Sequence, residues 1–131
     1  AYGRELGIDE RIVWHGWQAD PWGYVRERIG SVSAVLLTSA FEGLGMTLLE
    51  AMSYGVYCVS SNCPWGPADI IREGCNGELY EPGDLQCLQR ILQRVVDNGV
   101  SADPHDIKPS IETFYVDNYY LRFREALSAE R

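Results

Sequence analysis

Residues Ser39 to Met52 read S-A-F-E-G-L-G-M-T-L-L-E-A-M and hold the side chains best placed to do chemistry. Two carboxylates, Glu42 and Glu50, flank Gly43-Leu44-Gly45 and the start of an apolar run with helical spacing. A helix that begins near Gly45 or Met46 leaves its first N–H groups unpaired and partly positive. Glycines in the loop before it let a ligand come close to the backbone. Such a place suits a phosphate or diphosphate. Glu50 lies one turn in, on the face of Met46, where a carboxylate is poorly placed for phosphate but can accept hydrogen bonds from two vicinal hydroxyls, as on a ribose. Glu42 stands at the loop entrance and can meet the same ligand at its other end. An isolated pair of acids at this spacing is more ordinarily one solvated loop residue and one solvated helix residue. The glycine loop between a buried strand and an apolar helix favours the ligand.

The elements that must carry this loop follow from the flanking pattern. Ala34–Leu37 is a continuous apolar run, as in a fully buried strand of a parallel sheet. After the loop Thr38–Gly45, Met46–Tyr54 reads as a helix with Leu48, Leu49 and Met52 inward and Gly55 as its stop. Val56–Ser60 is a second buried strand, followed by a loop over Ser61–Trp65. Gly66-Pro67 opens a short helix that buries Ile70 and Ile71 and closes at Gly74. Gly77–Tyr80 is a third strand and Pro82-Gly83 a turn. Asp84 caps a helix to about Val96, with Leu85, Leu88, Ile91, Leu92, Val95 and Val96 on one face. Ser101–Pro109 reads as a loop and Ile111–Leu127 as a terminal helix. Upstream, Ala1–Gly7 looks like the tail of a helix and Ile12–Trp14 a short strand. Asp20-Pro21 is an N-cap with proline at the first helical position, starting a helix that ends at Gly30. Strands alternating with helices predict an α/β doubly wound parallel sheet of Rossmann-like type. In such sheets ligands bind beyond the carboxyl ends of the strands, where Glu42–Gly45 falls.

Composition narrows the chemistry. A net charge of −8 over 131 residues repels phosphate backbones and anionic lipid, which argues against nucleic-acid binding. Cys58, Cys63, Cys75 and Cys87 form no C-x-x-C pair, and Cys58 reads as a small buried residue in a reducing cytoplasm. No D-x-D motif and no metal-ligand spacing appears, so the expectation is no metal and no cofactor. Apolar runs are too short to cross a bilayer. Gly43-Leu44-Gly45 begins a G-x-G-x-x-G pattern, but Leu48 occupies the third position and Ser60-Ser61-Asn62 offers no acid after the next strand. That weakens a nicotinamide-dehydrogenase reading. Trp17, Trp22 and Trp65 could stack on a base or sugar, although packing in a core or rim is the commoner fate. His15 reads as structural, and Pro64-Trp65-Gly66-Pro67 as a rigid turn on the ligand side.

F-E-G-L-G-M-T-L-L-E-A-M-S-Y-G-V, with S-S-N-C-P-W-G-P-A-D-I-I-R-E-G-x-N-G-x-L-Y-E-P-G-D after it, resembles the E-x7-E region of family 4 retaining glycosyltransferases of the GT-B type. The resemblance covers about Gly7 to Val96. It implies that Glu50 binds the ribose hydroxyls of a UDP-sugar. The amides around Gly45, Met46 and Thr47, in the loop with Gly43 and Leu44, would hold the diphosphate. Glu42 would be the catalytic residue, contacting the transferred sugar and supporting positive charge at its anomeric carbon. Gly16-Trp17-Gln18 would lie near the uracil. Thr47 stands where many relatives have proline. The donor implied is UDP-galactose or UDP-glucose. The acceptor is a lipopolysaccharide core oligosaccharide, bound mainly through an N-terminal domain outside these residues. The implied place is the cytoplasm, peripheral at the inner face of the inner membrane.

On this reading residues 1–131 are part of a nucleotide-sugar-binding domain, without its first strands and the basic pair that neutralises the diphosphate. The isolated chain should be inactive and should self-associate or move a strand to cover an open sheet edge. The alternative from another class is a non-catalytic nucleotide-binding or interaction module, which would not need Glu42 and Glu50 to face one cleft.

Overall fold

The computed structural model describes residues 2–100 and 102–129, which form two compact units, one up to Ser31 and one from Val32 onward. The first unit opens with α1 (Tyr2–Glu5) and a 3-10 turn at Asp9–Arg11. Its longest helical stretch is α2 (Pro21–Tyr24), continued by a π-helical turn at Val25–Ile29. The start is capped as the sequence predicts: Asp20 accepts a hydrogen bond from the Gly23 amide at 2.8 Å, with Pro21 at the first position. Gly30 closes it with φ 88° and an amide bond to the Val25 carbonyl at 2.8 Å.

The strand expected at Ile12–Trp14 does not form. These residues pair with no strand, and Val13 and Trp14 are 70% and 83% exposed. Strand residues satisfy their backbone groups only across a ladder, and no neighbouring strand is available here among the described residues.

The second unit holds a parallel sheet of β1 (Val35–Leu37), β2 (Cys58–Ser61) and β3 (Gly77–Tyr80), in the order β1-β2-β3. Val35, Leu36 and Leu37 pair with Cys58, Val59 and Ser60, and Cys58 to Ser61 pair in turn with Gly77 to Tyr80. Between the strands lie α3 (Met46–Ser53) and α4 (Pro67–Ile70), and after β3 comes α5 (Leu85–Asn98). The core is built from Leu48, Ala51 and Met52 of α3, Cys58 and Val59 of β2, Ile70, Ile71, Ile91, Val95, Ile107 and Ile111. β2 is buried along its whole length because it has a strand on both sides. β1 departs from its expected full burial: Leu36 is 44% exposed, since β1 is an edge of this sheet. In the same way Leu85 and Val96 stay exposed on α5, which packs on the other edge strand, and only Ile91 and Val95 of that face are buried.

Burial pushes the Cys58 thiol up to about 12, so it stays a neutral, inert core group, as expected. Asn76 is fully buried and satisfied: it accepts from the Arg72 amide at 2.7 Å and donates to the Ile70 carbonyl at 3.1 Å and the Ser110 hydroxyl at 2.7 Å.

Two readings of the C-terminal part need correction. Ser101 lies outside the described residues, and the expected loop after it contains α6 (Pro104–Ile107), where Asp103 accepts from the His105 amide at 2.8 Å. This is the same Asp-Pro start signal as at Asp20-Pro21. The expected single terminal helix is two pieces, a 3-10 segment at Pro109–Phe114 and α7 (Val116–Ala129), broken at Tyr115, whose ψ of 144° is extended. The Asn118 side chain holds the break by donating to the Glu112 carbonyl at 2.7 Å.

Candidate functional site

The site rests on the chain between β1 and α3. Gly45 is the residue before α3, buried, with φ 82° and ψ 47°, and no side chain caps this helix end. The left-handed turn suits glycine, and it aims the amides of Met46 and Thr47 out of the helix start. The first backbone bonds of α3 run from the Leu48 and Leu49 amides back to the Gly45 carbonyl, at 2.9 and 3.4 Å. Leu48, Ala51 and Met52 anchor α3 in the core, while Met46, Thr47 and Glu50 share an exposed stripe. Glu50 therefore sits one turn from the bare amides and on their side of the helix. Its carboxylate makes no hydrogen bond among the described residues.

Glu42 is half-buried and held. The Ser39 hydroxyl donates to Glu42 Oε1 at 2.5 Å, and the Ser61 hydroxyl donates to the Ser39 carbonyl, also at 2.5 Å. The ends of β1 and β2 are thereby tied together beneath the carboxylate. A second tie is backbone on backbone. Gly66, with φ 95°, lies so close to Leu44 that a Cβ there would be 2.9 Å from Leu44 Cα and nearer still to its carbonyl. The loops after β1 and after β2 thus support each other at the carboxyl end of the sheet, where parallel sheets take ligands. Gly43 is different: a Cβ there would meet nothing within 4 Å, so it offers open approach.

The aromatic at this end is not packed as expected. Trp65 is 69% exposed and is the one non-glycine residue with positive φ, 67°, among the described residues. A bulky residue held in that region is strained and marks a place where the fold imposes the geometry. Phe41, Leu44 and Met46 are exposed in the same stretch.

Gly16, Trp17 and Gln18 belong to the first unit. Gly16 has φ 66°, Trp17 is 86% exposed, and the Gln18 side chain donates to the His15 carbonyl at 2.8 Å, closing a local turn. His15 is structural, as expected: its Nδ1 hydrogen-bonds the Tyr24 hydroxyl at 2.9 Å.

A separate polar cluster lies at the amino end of β2 and β3. Tyr57 donates to Glu78 Oε1 at 2.8 Å and Arg94 pairs with the other oxygen, beside a hollow of about 390 Å³ that Glu73 and Asn98 also line. Burial, with the Glu78 bond second, holds the Tyr57 phenol far above its ordinary range. The sequence carries no regular spacing that would have joined these residues. Ser39 and Ser61 are likewise not marked by the sequence, since the bond that joins them spans 22 positions.

No three His, Cys, Asp or Glu side chains gather to hold a metal among the described residues. No helix there is long and apolar enough to cross a membrane.

A parallel α/β sheet with a glycine loop and a bare helix start at its carboxyl edge defines a Rossmann-like fold of the GT-B type. The chain belongs to the family described as Glycosyl transferases group 1, which matches residues 2–98. It is 52% identical over 128 residues to the lipopolysaccharide 1,6-galactosyltransferase of Salmonella typhimurium, covering 97% of this chain and 35% of that protein. Among solved structures it matches the apo form of the lipopolysaccharide outer core galactosyltransferase WaaB with a TM-score of 0.94 at 48% identity, over 99% of this chain and 36% of that one. The Anabaena HepE protein, solved in complex with UDP, shares the fold, with a TM-score of 0.78 at 24% identity over 97% of this chain and 35% of its own. The chain thus spans about a third of the length of these relatives.

Proposed function

We propose that this chain is part of the nucleotide-sugar-binding domain of a retaining hexosyltransferase. The enzyme moves galactose or glucose from UDP to a lipopolysaccharide core acceptor, which an N-terminal domain outside these residues binds. It works in the cytoplasm, peripheral to the inner face of the inner membrane. The observation that carries the reading is the α3 start: bare amides, Glu50 on the same exposed stripe, and Glu42 fixed across the glycine loop. The identity to lipopolysaccharide 1,6-galactosyltransferase supports the donor and acceptor classes. In this reading Met46 and Thr47 amides meet the diphosphate, Glu50 the ribose hydroxyls and Glu42 the transferred sugar. Gly43 and Leu44 border the donor.

The test is Glu50→Ala in the full-length transferase. Hydrogen bonds to a charged group contribute about 1.5–3 kcal/mol, so UDP affinity should fall roughly 10- to 100-fold with a smaller change in turnover. Unchanged UDP affinity by titration calorimetry would make Glu50 a solvated helix residue and return weight to a non-catalytic module.

The open edge of β1 supports a second expectation. Leu36 is exposed and β1 has one strand neighbour among the described residues. Open apolar edges pair with other chains. The isolated 131-residue chain should therefore self-associate, giving a light-scattering mass of two chains or more. A monodisperse monomer at the same concentration overturns this.

A further inference from the structure

We propose that Ser39 is a positioning residue for Glu42, fixing the carboxylate so that one oxygen is left to the substrate. The proposal rests on the catalytic reading of Glu42 above. Ser39 lies two residues beyond β1, and its only hydroxyl proton is committed to Glu42 Oε1 at 2.5 Å. Glu42 Oε2 accepts no hydrogen bond among the described residues. The two oxygens thus differ: one is tied down and one is open.

Ser39 is itself held. Its carbonyl accepts the Ser61 hydroxyl, and Ser61 is 2% exposed at the end of the central strand. Water has little access to replace that bond. The chain of contacts runs from the rigid centre of the sheet, through Ser39, to a carboxylate on a loop whose neighbours Phe41 and Gly43 are exposed. A glutamate on such a loop would otherwise sample several rotamers, and catalytic groups lose rate steeply when misplaced.

The experiment is steady-state kinetics on the full-length transferase with Ser39→Ala, Ser39→Thr, Ser39→Cys, Glu42→Ala and the Ser39→Ala/Glu42→Ala double variant. Ser39→Ala should lower kcat about tenfold, as loss of one bond to a charged group implies, with donor KM changed less than about twofold. Ser39→Cys keeps the volume but donates weakly, and should lose a similar factor. Ser39→Thr keeps the hydroxyl and should restore kcat to within roughly threefold of the parent, a hydroxyl donor being all the role requires. In the Glu42→Ala background, Ser39→Ala should change nothing further, because the serine acts only through the glutamate. Parent-like kcat in both Ser39→Ala and Ser39→Cys, or an equal loss with and without Glu42, overturns the proposal. Parent-like turnover in Glu42→Ala sinks instead the site reading on which it rests, so the two failures are told apart.

Discussion

Glu42→Ala should lower kcat of the full-length transferase by about 100-fold or more while donor KM stays within roughly threefold. The size follows from what the carboxylate is proposed to do. Cleavage of the bond to UDP leaves positive charge at the anomeric carbon, and a fixed negative group stabilises that charge only while it exists. Interactions made only in the transition state appear in kcat rather than in binding. The structure meets the requirement of fixity. Ser39 holds one oxygen, Ser61 holds Ser39, and Gly66 backs the loop at Leu44. Glu42→Gln separates charge from shape, because a glutamine can keep a hydrogen bond from Ser39. It should lose nearly as much as alanine. A glutamine variant with kcat within threefold of the parent would mean that hydrogen bonding, not charge, is the contribution.

Much of this site was legible in the residues, and for a local reason. A bare helix start after a glycine loop is written in adjacent positions, so Gly45, Met46 and Glu50 could be placed by helical spacing alone. The capped starts at Asp20-Pro21 and Asp84 were legible for the same reason. What failed was set by distant parts of the chain. Ile12–Trp14 has strand-forming residues but no partner, and pairing is not a property of three residues. The exposure of Leu36, Leu85 and Val96 depends on which strands lie at the sheet edges, which no local pattern states. Ser61 reaches Ser39 across 22 positions because β1 and β2 are neighbours in register. The break at Tyr115 was hidden by apolar spacing that continues through it, while the feature that marks it is the Asn118 side chain on the Glu112 carbonyl.

Gly66→Ala should destabilise the protein by about 2–4 kcal/mol, and Gly43→Ala by no more than about 0.5 kcal/mol, although both glycines flank the same site. Two effects combine at Gly66. Its φ of 95° with ψ of −62° lies in a region that side chains rarely adopt, so any Cβ is strained. The space is also taken: the added Cβ would overlap the Leu44 backbone, which has no rotamer with which to move aside. The overlap can be relieved only by separating the loop after β1 from the loop after β2. That separation would carry Leu44, and with it Glu42 and Gly45, away from the carboxyl edge of the sheet. Gly66→Ala should therefore also weaken UDP binding in whatever protein remains folded, and added UDP should recover part of the lost stability, as a ligand selective for the native state must. Gly43 has neither constraint, since its φ is not positive and nothing lies within 4 Å of a Cβ there. Thermal melts of both full-length variants decide the matter. A drop on the order of 10 °C for Gly66→Ala and almost none for Gly43→Ala is the expected pattern. Equal melting temperatures for the two variants would mean that the Leu44–Gly66 contact yields without cost, and that the two loops do not support each other.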